Sequence, residues 1–220
     1  MIKEISKTTI EKKEKPEGYF IYKKVPEGQI GIVRTLGEEF LQKIEQNLRN
    51  IGGERIQAGG WRNKWVDHVQ TEKGPLKFII KEKENPSDYS RGAALEHRRL
   101  YRSVIHEIII NLKAQERYKE VYHEELPIEK PLGFFIAKNG DRFVIYEYIE
   151  GARQPLFNPD VYDEALRFAV KFRKILKKIG IDPQDLNETN VVYQKTEKGP
   201  KFWLIDTELW QYENRRRLSE

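Results

Sequence analysis

The sequence predicts an α+β fold of two lobes: a five-stranded antiparallel sheet with one inserted helix, then a reduced helical lobe carrying a β-hairpin. Three observations predict it. Short β-rich runs bounded by Gly, Pro and Asn fill the first two thirds, a long stretch at helical spacing interrupts them, and a capped amphipathic helix precedes two last apolar runs.

Residues 1–53 are strongly charged, with short apolar alternations at YFIYKKV and IGIV and a helical LGEEFLQKIEQNLRNI that stops at Gly52 and Gly53. They are expected to form a partly ordered N-terminal extension. The first lobe is expected over 54–150. It opens with ERIQAGGWRNKWVDHVQTEKGPLKFIIKEK, where Gly59-Gly60 and Lys73-Gly74-Pro75 separate three β-rich runs. A charged helix should then run from about Pro86 to Glu120, with Leu95, Val104, Ile105, Ile108, Ile109 and Leu112 along one side. PLGFFIA and RFVIYEYI follow as strands joined at Lys138-Asn139-Gly140-Asp141, and Asn-Gly is a strong hairpin signal.

The second lobe is expected over 151–220. Asn158 can cap a helix, Pro159 suits its first turn and Gly180 can end it. Its apolar stripe would be Leu166, Ala169, Phe172, Leu176 and Ile179. Val191–Tyr193 and Phe202–Ile205 read as a hairpin closed by QKTEKGPK.

Composition narrows the function. A chain of 220 residues with eleven Tyr, ten Phe and four Trp has apolar surface enough for a core despite being 34% charged. The formal charge of +5 is spread along the chain and suits an anionic ligand. With no cysteine, disulfides and thiolate metal sites are excluded. No stretch approaches the roughly 20 apolar residues that span a bilayer, so a cytoplasmic protein is expected. His68, His97, His106 and His123 show no metal-binding spacing. Arg98, Arg99 and Arg102, with Arg215, Arg216 and Arg217, read as a solvated charged face in preference to a nucleic-acid contact.

Phosphoryl transfer from a nucleotide requires a backbone cover over the phosphates, a cation on them, oxygen ligands for magnesium and a carboxylate near the incoming hydroxyl. The chain offers these in order: Gly59 and Gly60, Lys81 closing the run Phe78–Ile80, then Asp185, Asn190 and Asp206. Asp206 ends an apolar WLI run, where a carboxylate is costly unless paired or metal-bound.

On these residues the sequence resembles the protein-kinase-like superfamily. KFIIK is similar to its strand-borne lysine motif, DLNETN to its D-L-x-x-x-N catalytic loop, LIDTE to the strand ending in its metal-binding aspartate, and FVIYEYIEG to its hinge. The resemblance covers about residues 54–210. It implies that Gly59 and Gly60 cover the phosphates of ATP, that Lys81 holds them, and that a helix glutamate orients Lys81. Glu107 is preferred for that role and Glu96 is the alternative. Backbone groups near Glu147 and Ile149 would meet the adenine, Asn190 and Asp206 would hold Mg²⁺ with help from Glu208, and Asp185 would receive the hydroxyl proton.

Two departures shape the expectation. Pro183 and Gln184 stand before Asp185 in place of the His-Arg of protein kinases or the His-Gly of small-molecule kinases. The Asp-x-Glu of LIDTE is nearer to choline, aminoglycoside, sugar and lipopolysaccharide kinases, so the chain resembles compact atypical kinases, the RIO type among them. Since 14 residues follow Asp206, the substrate platform is expected to be missing or supplied elsewhere. The expected function is ATP- and Mg²⁺-dependent phosphoryl transfer to a hydroxyl of a sugar, lipid head group, small metabolite or protein. The alternatives are a pseudokinase that binds a nucleotide or partner, and a basic nucleic-acid-binding protein.

Overall fold

In a computed structural model of the chain, the structure describes residues 18–49, 54–55, 64–71, 74–83 and 104–213. Strands β1 (Phe20–Val25), β2 (Gly28–Val33), β3 (Glu54–Arg55), β4 (Lys64–Thr71), β5 (Gly74–Lys83), β6 (Pro131–Ala137) and β7 (Arg142–Glu147) make one sheet in the order β1-β2-β6-β7-β5-β4-β3. Every neighbouring pair is antiparallel.

The sheet therefore has seven strands where the sequence predicts five. The two extra strands come from the segment expected to be an extension: β1 and β2 form a hairpin that pairs with β6 from Gly28↔Ala137 to Ile32↔Gly133. Glycines permit that approach. A Cβ on Gly133 would lie 2.4 Å from the Gly31 carbonyl oxygen, and one on Gly31 would lie 2.4 Å from the Phe134 ring. Phe134 instead meets Phe20 edge-on at 5.3 Å, sealing the hairpin onto the sheet.

Side chains alternate across the strands, and each face of the sheet has its own helix. On one face, Phe40, Leu41 and Ile44 of α1 (Gly37–Arg49) pack with Ile30, Ile32, Phe78, Ile80 and Ile145. On the other, Val104 and Ile108 of α2 (Val104–Tyr122) pack with Phe134, Val144 and Tyr146. Fully burying one such aliphatic side chain contributes about 1.5–3 kcal/mol. The helix expected from Pro86 is thus described from Val104 onward, and Glu96 lies outside the described residues.

The far end of α2 reaches a second core. Ile110, Ala114 and Tyr118 join Ala165, Ala169, Phe172 and Leu176 of α3 (Pro159–Lys178), together with Leu186, Leu204 and Trp210. The Asn158 side chain accepts the backbone N–H of Asp160 at 3.1 Å, Pro159 takes the first turn, and Gly180 at φ 78° follows the last. The buried stripe contains Ala165 where Leu166 was expected, and Leu166 is 40% exposed. The seam between α2 and α3 admits the smaller side chain.

Beyond α3, β8 (Ile181–Pro183) pairs with β11 (Trp210–Tyr212), and β9 (Val191–Thr196) with β10 (Gly199–Leu204). The end of β10 runs parallel to residues 127–129: Leu204 donates to the Pro127 carbonyl at 2.8 Å, and Glu129 donates to that of Leu204 at 2.9 Å. This splice carries the chain beneath the cleft face of the sheet. Among the described residues, no helix is long and apolar enough to cross a membrane.

Candidate active site

The site lies where the cleft face of β5 meets the first turn of α2 and the segment after β10. Strand periodicity sets its content. Phe78 and Ile80 point to the α1 side, so Ile79, Lys81 and Lys83 share the opposite face. Both lysines are buried, and each is paired with carboxylates.

Glu107, expected to orient Lys81, contacts Lys83 instead. Lys83 Nζ lies 3.0 Å from Glu107 Oε1, 3.5 Å from Asp206 Oδ1 and 3.4 Å from Glu208 Oε2. Lys81 Nζ lies 2.5 Å from Glu129 Oε2 and 4.7 Å from the centre of the Tyr146 ring. The physical reason is position along one face: α2 crosses the sheet beside the end of β5, so Glu107 reaches the lysine two residues further along. Tyr146 holds the arrangement by donating its hydroxyl to Glu107 Oε1 at 2.6 Å.

Glu129 carries no local signal that singles it out. Glu129 is 3% exposed, sits between Pro127 and Pro131, and accepts the backbone N–H of Asp206 at 2.7 Å on its second oxygen. Asn111 of α2 donates to the Glu129 carbonyl at 3.2 Å, so this one residue ties α2, β5 and Asp206 together. For Lys83, the signal was present in the period: it is the same-face neighbour of Lys81.

Asp206 takes a left-handed backbone, φ 59°, which a non-glycine residue adopts at a cost. Glu129 holds that turn through the N–H, and the Asp206 side chain stays 41% exposed, facing the cleft. Thr207 and Glu208 turn inward.

Across the cleft, the loop after β8 brings Asp185 and Asn190 together. Asn190 donates its amide to Asp185 Oδ2 at 3.0 Å and to the Asp185 carbonyl at 3.1 Å, while its own backbone carbonyl accepts from Ile205 at 2.9 Å. Arg173 of α3 pins the loop through the Leu186 carbonyl. Asp185 Oδ1 is buried without a hydrogen-bond partner among the described residues.

Electrostatics follow from this crowding. Burial raises the Asp185 carboxyl to about 6, and the Asp206 charge adds to the rise. Burial also raises Glu107 to about 7; Lys83 opposes the rise, and Glu208 and Asp206 reinforce it. Lys64 on β4 is pushed down by burial and by Lys81. Four carboxylates, Glu107, Glu129, Asp206 and Glu208, thus surround Lys81 and Lys83.

At the hinge, the Glu147 N–H donates to Lys130 at 2.8 Å, Tyr148 N–H to Lys77 at 3.0 Å, and the Ile149 carbonyl accepts from Ala152 at 3.2 Å. A cavity of about 320 Å³ borders this segment, lined by Glu129, Lys130, Glu147, Tyr148, Ile149 and Trp203 among others. Gly59 and Gly60 lie outside the described residues. Of the predicted site, the structure brings together Asp185, Asn190 and Asp206, with Glu107 beside Lys83 and Lys81 beside Glu129.

The donor set fits a magnesium ion. Magnesium takes oxygen ligands and asks the protein for one or two carboxylates when phosphate and water complete the shell. A cleft-facing Asp206 and the side-chain oxygen of Asn190, whose amide nitrogen is turned to Asp185, meet that requirement. Among the described residues, no three His, Asp or Glu side chains converge as a closed metal cage.

No protein-family model matches the sequence, and no curated protein does. Solved structures resemble the fold. The Rio2 kinase of Chaetomium thermophilum, crystallised as an ADP/Mg²⁺-phosphoaspartate complex, aligns with a TM-score of 0.43 and 15% identity over 90% of this chain and 60% of its own. The kinase PK-1 of Cydia pomonella granulovirus gives 0.46 and 12% over 80% of this chain and 58% of its own. Rad53 in complex with AMP-PNP gives 0.41 and 16% over 84% and 48%. The chain thus spans about half to three fifths of each of these proteins. From β3 onward the chain runs in the order that the sequence resemblance implies: three antiparallel strands, a helix with a buried glutamate, two strands, a connecting segment, a helix, the Asp185–Asn190 loop, and a hairpin that leads to Asp206.

Proposed function

We propose that the protein is a phosphotransferase that binds a magnesium nucleotide in the cleft between β5 and the Asp185–Asn190 loop and transfers a phosphoryl group to a hydroxyl. The observation that carries this reading is the Lys83 ammonium, held 3.0 Å from Glu107 and 3.5 Å from Asp206, which links helix, strand and catalytic segment at one point.

Asp206 and Asn190 would hold the magnesium, whose charge would offset that of the transferred phosphoryl group. Lys83 and Lys81 supply fixed positive charge at the phosphates, pre-oriented by Glu107 and Glu129 so that little reorganisation accompanies the reaction. Asp185, raised to about 6, would accept the hydroxyl proton on its unpartnered Oδ1. Gly59, Gly60 and the backbone near Glu147 and Ile149 would cover the phosphates and meet the base.

Thermal melting with Mg·ATP against ATP alone tests the reading. The parent should gain a magnesium-dependent stabilisation, and Asp206→Ala should lose it. A parent that shows no nucleotide shift under either condition would overturn the proposal.

One observation favours a second reading, a pseudokinase. Asn190 closes on Asp185 Oδ2 at 3.0 Å, occupying one oxygen of the base. Nucleotide binding without single-turnover transfer to any sugar, lipid or peptide acceptor would select it.

A further inference from the structure

Lys64 is the first residue of β4, and its Cα partner across the ladder is Lys81. The next residue, Trp65, pairs with Ile80 and lies 6.0 Å ring to ring from Phe143 on the α1 face. Alternation therefore directs Lys64 to the cleft face, beside Lys81. Trp65 fixes that choice, because a one-residue slip would expel the indole from its core.

Two ammonium groups opposite one another on antiparallel strands repel. Lys81 and Lys83 both have carboxylate partners, whereas Lys64 has neither a hydrogen bond nor an ion pair with any described residue. Burial and then Lys81 disfavour its half-buried charge, Asp206 and Glu129 favour it, and Lys83 opposes it more weakly. A cation kept in such a place suits an anion bound between the strands.

We infer that Lys64 is a third phosphate-binding cation of the cleft, directed at the polyphosphate chain, so that the site selects a nucleoside di- or triphosphate over a monophosphate. The inference rests on the nucleotide reading above. It adds a residue outside the lysine strand and assigns it to ligand selection: Lys83 is committed to three carboxylates and Lys81 to one, while Lys64 has its charge available for the ligand.

Calorimetric titration of ATP, ADP and AMP into the full chain, with magnesium and at fixed salt, tests it on the parent, Lys64→Met and Lys64→Arg. Charge-assisted hydrogen bonds lead us to expect ATP affinity to fall about tenfold or more in Lys64→Met, AMP affinity to change less than about twofold, and Lys64→Arg to stay near the parent. Lys64→Met without ligand should melt at or above the parent, since it removes a repulsion. Lys64→Gln gives the same comparison if the Met variant does not fold. Unchanged ATP binding in Lys64→Met, or equal losses for ATP and AMP, overturns the role of Lys64 and leaves the nucleotide site standing. A parent that binds neither ATP nor inorganic tripolyphosphate overturns both.

Discussion

Glu129 accepts the backbone N–H of Asp206 at 2.7 Å on one carboxylate oxygen and holds Lys81 at 2.5 Å on the other. The strained turn at Asp206 is thereby anchored to the sheet through a buried ion pair. Removing one partner of such a pair leaves the other charged and buried, at a cost of about 3–5 kcal/mol. Glu129→Ala should lower the unfolding free energy measured in urea by that amount, while Lys81→Met/Glu129→Leu should lose clearly less than the two single changes combined. Additive losses would mean that the pair is not coupled.

Lys83 is the shared counter-charge of Glu107, Asp206 and Glu208. Lys83→Met should lower the transfer rate by about a hundredfold or more, the scale of losing one fixed electrostatic contact to the reacting group. Glu107→Gln, which leaves Lys83 in place without its charged tether, should cost less. Assays on both variants with the acceptor, or of ATP hydrolysis in its absence, give the ranking; the reverse order would place the essential charge on Glu107.

Asp185 should make stability depend on pH. Its carboxyl is raised from 3.8 to about 6, so between these values the folded chain keeps a proton that the unfolded chain has released. Stability therefore falls as pH rises through this window and stays lower above it. Asp185→Asn removes the effect. Because solvent screens this half-buried group, the gain at pH 8 should be about 1 kcal/mol, or about 2–4 °C in melting temperature, and should vanish near pH 3.5. Transfer activity should be lost in the same variant. Parallel melting curves for variant and parent across the range would contradict the raised carboxyl.

Gly133→Ala should destabilise the protein by about 1–3 kcal/mol, since its methyl would press on the Gly31 carbonyl of the neighbouring strand. The measurement is the chemical denaturation midpoint. A neutral result would mean that the β1–β2 hairpin does not close on β6.

Local chemistry made the turns and caps legible. Asn139-Gly140 closes β6 and β7, and Asn158, Pro159 and Gly180 bound α3, because each acts within a few residues of itself. The Asp185–Asn190 loop and Asp206 were legible through motif spacing. Long-range pairing was not. Nothing in FIYKKV or GQIGIV shows that the strand beside them is β6, which lies far later in the chain. Lys81 and Lys83 share a face by period, and only the angle at which α2 crosses decides which one meets Glu107. Glu129 follows Pro127 and reads as a loop acid, although its burial depends on the splice with β10.

The sheet ends on a strand bearing Lys23 and Lys24 at one rim and on a strand of two residues at the other. An incoming chain seeking to add a strand at the first rim would meet two lysine side chains, Lys23 held by Glu45 and Lys24 exposed. The same N-terminal hairpin that widens the sheet thus also guards it against polymerisation. A chain shortened to begin at β3 would expose β6, with its run of Phe134, Phe135 and Ile136, as a sticky margin.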